Sequence, residues 1–549
     1  MTRLSKPLSE IKPCYDVIIV GSGYGGGVSA SRLARTGKRV AVLERGREVL
    51  TGEFPNRFPD LKNELQVTGK SVRTGSPTGL YDVRLGEHMH ILVGCGLGGG
   101  SLVNAGVALR PTARVFEDHA WPEELRQDGW LQEGYVRAQN WLRPAKDPRA
   151  ASMTKFNALK TAADRLGHAM VETPVAVSFS ETINAAGRTQ AACTSCGDCC
   201  AGCNVGAKTT VAVTYLPDAV AHGAELFTHA KVSSLEKQSD GTWQLHVEDL
   251  RKDGQKEGFK LSAPVIILAA GTLGSTEILL RAAAKGLAVS DRLGHRFSAN
   301  GDIIAFGYGL KAKVNAVGIG HPPKLEDFAV GPSVTGQLEV RDAETLENEL
   351  TVQDGALPSA LAPILPVMFV PNGRILGALK SLVSGVYRGP FAHLQTIFAV
   401  SHDSASGRFI LDSDRLSLSW PGAKDEPVYT RIDAALAQIV GDAGGSYVKN
   451  PLAGTVMGHQ PATAHPLGGC SMAEDCTTGV VNHKGQVFDA GASGSTDVHR
   501  GLYVIDGSII PRSLGVNPLL TITALAERAM AHFATDHDLS FSAEPAKAS

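Results

Sequence analysis

The feature that most constrains this chain is one continuous block, YDVIIVGSGYGGGVSASRLARTGKRVAVLERG, running from Tyr15 to Gly46. Val17 to Val20 are consecutive apolar β-formers and read as a short strand buried on both faces. Gly21, Gly23 and Gly26 follow as G-x-G-x-x-G, with Tyr24 and Gly25 inside the motif. A helical stretch over 28–36 stops at Gly37, and RVAVLE is a second strand ending on Glu44. The glycines permit a tight turn and let a pyrophosphate reach the helix N-terminus. An acid about 20 residues on stands where a carboxylate binds a ribose 2′-hydroxyl. Strand, glycines, helix, strand and acid in this order specify a Rossmann-like nucleotide site. The acid disfavours a 2′-phosphate, so FAD or NAD fits better than NADP.

The rest of that domain is scattered along the chain. LVGCGLGGGSLVNAGVALRP (92–111) is a second glycine loop, and PVIILAAGTLGSTEILLRAA (264–283) reads as strand, turn and helix. LYVIDGSIIP (502–511) is a buried strand ending in Asp506-Gly507, and a helix follows in 517–534. Strands drawn from both chain ends, with long insertions, are the pattern of a large flavoprotein. The expected fold class is therefore α/β: a discontinuous Rossmann-like FAD-binding domain with an inserted substrate domain on a mixed or antiparallel sheet. The expected partition is 1–111, 193–300 and 456–549 for the FAD domain, a helical insertion at 112–192, and a substrate-binding domain at 301–455. Within the last, GRFILD and RLSLSW form a hairpin joined by Ser413-Asp414, expected in one wall of the pocket.

A net charge of −2 excludes nucleic acid as the main partner, because phosphate binding needs a basic surplus. The N-terminal stretch lacks an apolar signal region. The longest apolar run, 356–370, is interrupted by three prolines and is too short to span a membrane. A cytoplasmic location is expected, with thiols kept reduced. In RILGALKSLVSGVYR (374–388), Ile375, Leu376, Leu379, Leu382, Val383 and Val386 make one helical stripe with Arg374, Lys380 and Arg388 beside it. It reads as a helix packed on its own domain or as a lid resting peripherally on a membrane.

GSGYGGG with Glu44, GCGLGGGSLVN (94–104), HPLGGC (465–470) and LYVIDGSIIPRSLGVNPLLTITALAERAM (502–530) together resemble the glucose–methanol–choline family of FAD oxidoreductases, in its cholesterol oxidase-like branch. The resemblance implies that Tyr24, Gly25 and Glu44 line the pyrophosphate and adenosine, and that Val232 packs near the adenine edge. It sets Gly100 and Asn104 beside the flavin, and Gly507 and Leu519, after Asp506, against the isoalloxazine region. The family's histidine and asparagine match His465 and Asn517. Related cholesterol oxidases carry a glutamate thought to isomerise the steroid double bond. LTVQDGALP (350–358) sets Gln353 there, which cannot act as a base, with Asp354 beside it reading as a turn residue before Gly355.

Oxidising an alcohol removes a hydroxyl proton and a carbinol hydride. An imidazole with an ordinary pKa of ~6.5 suits the proton, which makes His465 the candidate acceptor. Asn517 can hold the substrate oxygen but cannot titrate. The expected substrate is a bulky hydrophobic alcohol, a sterol among the candidates.

CTSCGDCCAGCN (193–204) holds five of the nine cysteines: Cys193, Cys196, Cys199, Cys200 and Cys203. Omitting Cys200, the spacing is the C-x₂-C-x₂-C-x₃-C run of bacterial ferredoxins. An iron–sulfur cluster, [3Fe–4S] or [4Fe–4S], is the leading expectation; zinc and disulfides or free structural thiols are the alternatives. A cluster implies an external acceptor such as a quinone or cytochrome, hence a dehydrogenase. Without one, the chain reads as an oxidase using oxygen. A lyase on the same fold is a third reading.

Overall fold

The structure is a computed structural model describing residues 2–70, 72–251, 258–321, 329–342, 344–370, 375, 379, 381, 385–452, 455 and 457–545. Its central sheet has seven strands: β1 (Ser5–Lys6), β2 (Val17–Val20), β3 (Val40–Leu43), β4 (Glu225–Phe227), β5 (Val265–Leu268), β6 (Gln486–Phe488) and β7 (Val498–Val504). The spatial order is β1-β4-β3-β2-β5-β7-β6. Neighbours are parallel from β1 through β7, and β6 pairs antiparallel with β7.

Every residue of β2 and β3 is buried, as strands covered on both faces require. The period of two divides them between two cores. Val17 and Ile19 pack with helix α1 (Tyr24–Ala34), helix α3 (Leu519–Asp536) and Trp141. Ile18 and Val20 pack on the other face, with helix α2 (Gly271–Ala284) and an antiparallel sheet of Ala230–Lys237, Trp243–Asp249 and Gly258–Ala263. An ion pair locks α1 to α3: Arg32 Nη2 lies 2.5 Å from Glu527 Oε1, both side chains fully buried. Tyr215 donates a further hydrogen bond to that carboxylate.

A second sheet of six strands is antiparallel throughout, in the order 446–448, 303–308, 395–401, 350–355, 336–340, 170–172. Its edge strand Met170–Glu172 comes from the stretch read as a helical insertion, which holds helices such as Trp130–Leu142 and Thr154–Arg165 and also a short hairpin of Thr182–Ile183 with Thr189–Gln190. A five-stranded sheet joins 65–94 to Ala462–Thr463 and so carries the chain to His465.

The hairpin forms as expected: Arg408–Asp412 pairs with Arg415–Ser419, and Ser413 (φ 50°) and Asp414 (φ 62°) are both left-handed, as a two-residue turn requires. It stands as a separate two-stranded ribbon and does not join the six-stranded sheet. Of the stripe in 374–388, Arg374, Leu376, Lys380, Leu382 and Val383 lie outside the described residues.

Candidate functional site

One continuous cavity of about 2080 Å³ runs from the carboxyl ends of the central strands to the antiparallel sheet. That exceeds the ~300–1,000 Å³ of an ordinary small-ligand pocket and leaves room for a dinucleotide and a substrate together. Gly21, Gly23, Tyr24, Gly25 and Glu44 line its nucleotide end, and Gly26 does not. Gly21 is left-handed (φ 97°). A Cβ at Gly23 would meet nothing within 4 Å, so the space above the helix start is open. At Gly25 a Cβ would lie 1.7 Å from the Ile505 carbonyl oxygen. Gly25 therefore lets α1 close onto the end of β7. Glu44 is buried; it accepts from Ser22 Oγ (2.6 Å) and the Gly46 amide (2.8 Å), and burial pushes its pKa up. Each oxygen carries one protein hydrogen bond and retains acceptor capacity. Val232 lines the same end. An open helix N-terminus and a buried acid at the next strand end fit the FAD that the fold implies.

Gly100, Asn104, Gly507 and Leu519 line the middle of the cavity, and a Cβ on Gly100 would meet open space. Asn104 Nδ2 donates to the Tyr24 hydroxyl (2.8 Å), tying the second glycine loop to α1. Asp506 borders the cavity, but its carboxylate is occupied by protein. It accepts from the Gly271 and Ser508 amides and from the Ser275 and Ser508 hydroxyls. It acts as the knot joining α2 to the turn at Gly507.

His465 and Asn517 face each other across the far end. His465 Nδ1 is 2.8 Å from Asp302 Oδ1, and Asp302 Oδ2 accepts from the His465 and Ala464 amides. A carboxylate on Nδ1 holds the neutral ring's proton there and leaves Nε2 as the acceptor. Asn517 Nδ2 is 3.5 Å from that Nε2, and Asn517 Oδ1 accepts from Gln353 Nε2 at 2.7 Å. Phe398, Val400, Leu361, Ile364 and Met457 make the walls here apolar. The geometry can take a proton from a hydroxyl held beside Asn517.

Asp354 is a strand residue rather than a turn. It is fully buried against Lys155 Nζ (3.0 Å) and accepts from the Thr335 and Gly336 amides, so it is no base for substrate. Asp302 carried no signal in the sequence, since no local spacing links it to His465. Gln353 was noticed only for the base it cannot be; its contact with Asn517 was not legible.

The cysteine loop sits against this cavity. Cys193, Cys196, Cys199 and Cys203 line one small void with Lys208 and Gly331, whereas Cys200 borders the large cavity. All five thiols are free, without disulfides. Burial pushes Cys193 up to about 11 and Cys199 up to about 12. The spacing leaves open which of the five thiols is not a ligand, and Cys200 is the one outside the void's lining. Among the described residues no three cysteine sulfurs lie within 4.8 Å of one another. A single tetrahedral ion with ~2.3 Å bonds would bring its sulfurs to within about 4 Å, which argues against zinc. Lys208, unforeseen from sequence, is buried and donates to the carbonyls of Leu102, Asn104 and Cys199.

Models of the GMC oxidoreductase family match residues 15–299 and 446–526. A cholesterol oxidase of Mycobacterium tuberculosis (strain ATCC 25618 / H37Rv) is 29% identical over 94% of this chain and 91% of its own. A cholesterol oxidase of Acinetobacter baumannii is 27% identical over 96% and 95%. A long-chain-alcohol oxidase of Arabidopsis thaliana is 25% identical over 93% of this chain and 66% of its own. Among solved structures, pyridoxine 4-oxidase from Mesorbium loti superposes with a TM-score of 0.59 at 17% identity, covering 95% of this chain and 99% of that one.

Proposed function

This chain belongs to the GMC oxidoreductase family, and from that premise we propose that it is an FAD-dependent enzyme oxidising a bulky hydrophobic alcohol to its carbonyl compound. The observation that carries the reading is the constellation at the far end of the cavity: His465 oriented by Asp302, with Asn517 beside its free Nε2. Bound FAD supplies a hydride acceptor. The chain's own residues do the rest. Asn517 holds the substrate oxygen, and His465 Nε2 takes the hydroxyl proton as the hydride leaves. Asp302 stabilises the imidazolium that results, and the apolar wall excludes water. Gly21, Gly23, Glu44, Gly100, Asn104 and Val232 are the residues that would hold the cofactor, and the expected three-part domain division remains part of the proposal.

The apolar lining and the relatives named as cholesterol and long-chain-alcohol oxidases favour a sterol or a long-chain alcohol as substrate. Electrons leave by the cysteine loop to an external quinone or cytochrome-like acceptor. Direct reduction of oxygen is the second reading, favoured by the same oxidase names. Peripheral contact of a cytoplasmic protein with a membrane belongs to the proposal as well. Its support is the exposed apolar surface at Val367, Val370, Ile375 and Leu379. Among the described residues no helix is long and apolar enough to cross a membrane.

The test is anaerobic addition of a 3β-hydroxysterol or a long-chain alcohol to the FAD-loaded protein. Bleaching of the flavin band, lost in His465→Ala, is the expected result. Alcohol consumed with no bleaching would overturn the reading in favour of lyase chemistry. Stoichiometric peroxide in air, with no turnover on ferricyanide, would move the electron exit to oxygen.

A further inference from the structure

We propose that Cys193, Cys196, Cys199 and Cys203 hold one [4Fe–4S] cluster, and that Cys200 stands outside the ligand set. Three observations meet at this point. First, the four thiols that share the ferredoxin spacing are also the four that line one small void, and Cys200 is not in that lining. In two-cluster ferredoxins the first three thiols of this run serve one cluster and the fourth another; here the void sets the fourth, Cys203, with the first three. Second, the backbone wraps that void. Ser195 (φ 60°), Gly197 (φ 78°) and Gly202 (φ 96°) are left-handed and reverse the chain between the thiols. The Ser195 amide donates to the Cys193 sulfur at 3.4 Å. Amide donors on sulfur stabilise thiolates and tune a cluster's potential. Third, among the described residues no three of the sulfurs form the close set that a single ion needs. A cluster binds each thiolate at a separate iron and does not require that closeness.

The site also has a connection to the cofactor cavity. Lys208 Nζ bonds the Cys199 carbonyl at 3.1 Å and the Asn104 carbonyl at 2.5 Å, and Asn104 lines that cavity. Lys208 is a positioning residue that fixes the loop against the flavin side and puts one buried positive charge beside an anionic cluster. The cluster's role in electron exit rests on the alcohol-oxidising reading above; the metal site itself does not. One alcohol gives up two electrons and two protons in becoming a carbonyl compound. A cluster would pass the electrons singly to two equivalents of an external one-electron acceptor; the hydroxyl proton leaves by way of His465, and the proton carried in the hydride would be released as bound FAD is reoxidised.

The experiment is iron, acid-labile sulfide and zinc assays on the FAD-loaded protein, purified anaerobically and also after anaerobic reconstitution with ferrous iron and sulfide. About four irons and four sulfides per chain are expected, with a broad visible absorbance that dithionite bleaches. Cys196→Ser and Cys203→Ser should lose that absorbance, keep FAD and still show flavin bleaching by alcohol, while turnover on ferricyanide falls at least tenfold. Cys200→Ser should match the parent protein in iron and sulfide. Iron and sulfide absent from both preparations, zinc in their place, about three irons per chain, or equal loss in Cys200→Ser would each overturn the proposal. If the ligand variants do not fold, electron paramagnetic resonance of the dithionite-reduced parent protein decides, since a missing cluster signal is then fatal. A full cluster in a protein whose flavin no alcohol bleaches would overturn the alcohol reading and leave the metal site standing.

Discussion

His465 and Asp302 lie 163 positions apart in sequence and 2.8 Å apart in space. That pair marks where reading the chain stopped. His465 and Asn517 were legible because each sits in a long block with its own turn or helix signal. Asp302 immediately precedes the strand Ile303–Tyr308 of another sheet, and only the tertiary fold brings it to the histidine. His465→Ala should keep FAD and slow flavin reduction by about 10²–10⁴-fold, the usual weight of a positioned base. Asp302→Asn should slow the same step less, because an amide oxygen can still accept from Nδ1 but offers no charge to the imidazolium. Rapid-mixing absorbance with a fixed alcohol measures both, and a parental rate in Asp302→Asn would reduce Asp302 to a backbone anchor. Gln353 acts one bond further out, fixing which way the Asn517 amide faces. Gln353→Leu should cost about five- to tenfold in flavin reduction, the worth of roughly one hydrogen bond, with FAD content unchanged.

At the scale of the element, the first glycine motif separates into two jobs that its spacing alone does not divide. Gly23 faces open space, and Gly25 faces the Ile505 carbonyl at a distance no side chain tolerates. Gly23→Ala should therefore leave the fold intact and weaken FAD retention, because the added methyl occupies the nucleotide's space. Gly25→Ala should lift α1 off β7 and lower stability by about 1–3 kcal/mol as well as losing FAD. Denaturant unfolding beside flavin content checks the pair, and identical behaviour of the two variants would refute the division. The strands, the helix starts and the 408–419 hairpin were legible because periodicity and turn residues are local. The joining of Met170–Glu172 to the antiparallel sheet was not, since a three-residue edge strand has no period and its partner lies at 336–338.

Across the whole molecule, the central sheet takes strands from both chain ends, so its stability reports on the entire fold. Its response to acid is set by histidines folded into neutral positions. Burial, with Arg512 near, pushes His402 down to about 3, and burial beside Arg528 pushes His532 down to about 4, each from 6.5. Burial lowers His229, His295, His483, His499 and His537 in the same direction. The unfolded chain takes up these protons below pH 6.5 and the native protein does not, so stability falls as pH drops from 6.5 toward 4. Raised carboxyls oppose this, Asp403 most clearly: burial raises it from 3.8 to about 6, so acidification through 6 stabilises the native state through this group. Burial raises Glu44, Glu349 and Asp506 in the same direction, while, against burial, ion pairing lowers Asp82 and Asp128 and adds to the loss in acid. Seven lowered histidines outweigh four raised carboxyls, and the melting temperature should decline over that window. His532 also stacks on Trp130 at 4.0 Å, so His532→Gln should melt lower at pH 7 yet lose less on acidification than the parent protein. Parallel slopes for the two proteins between pH 6.5 and 4 would show that His532 takes no part in acid unfolding.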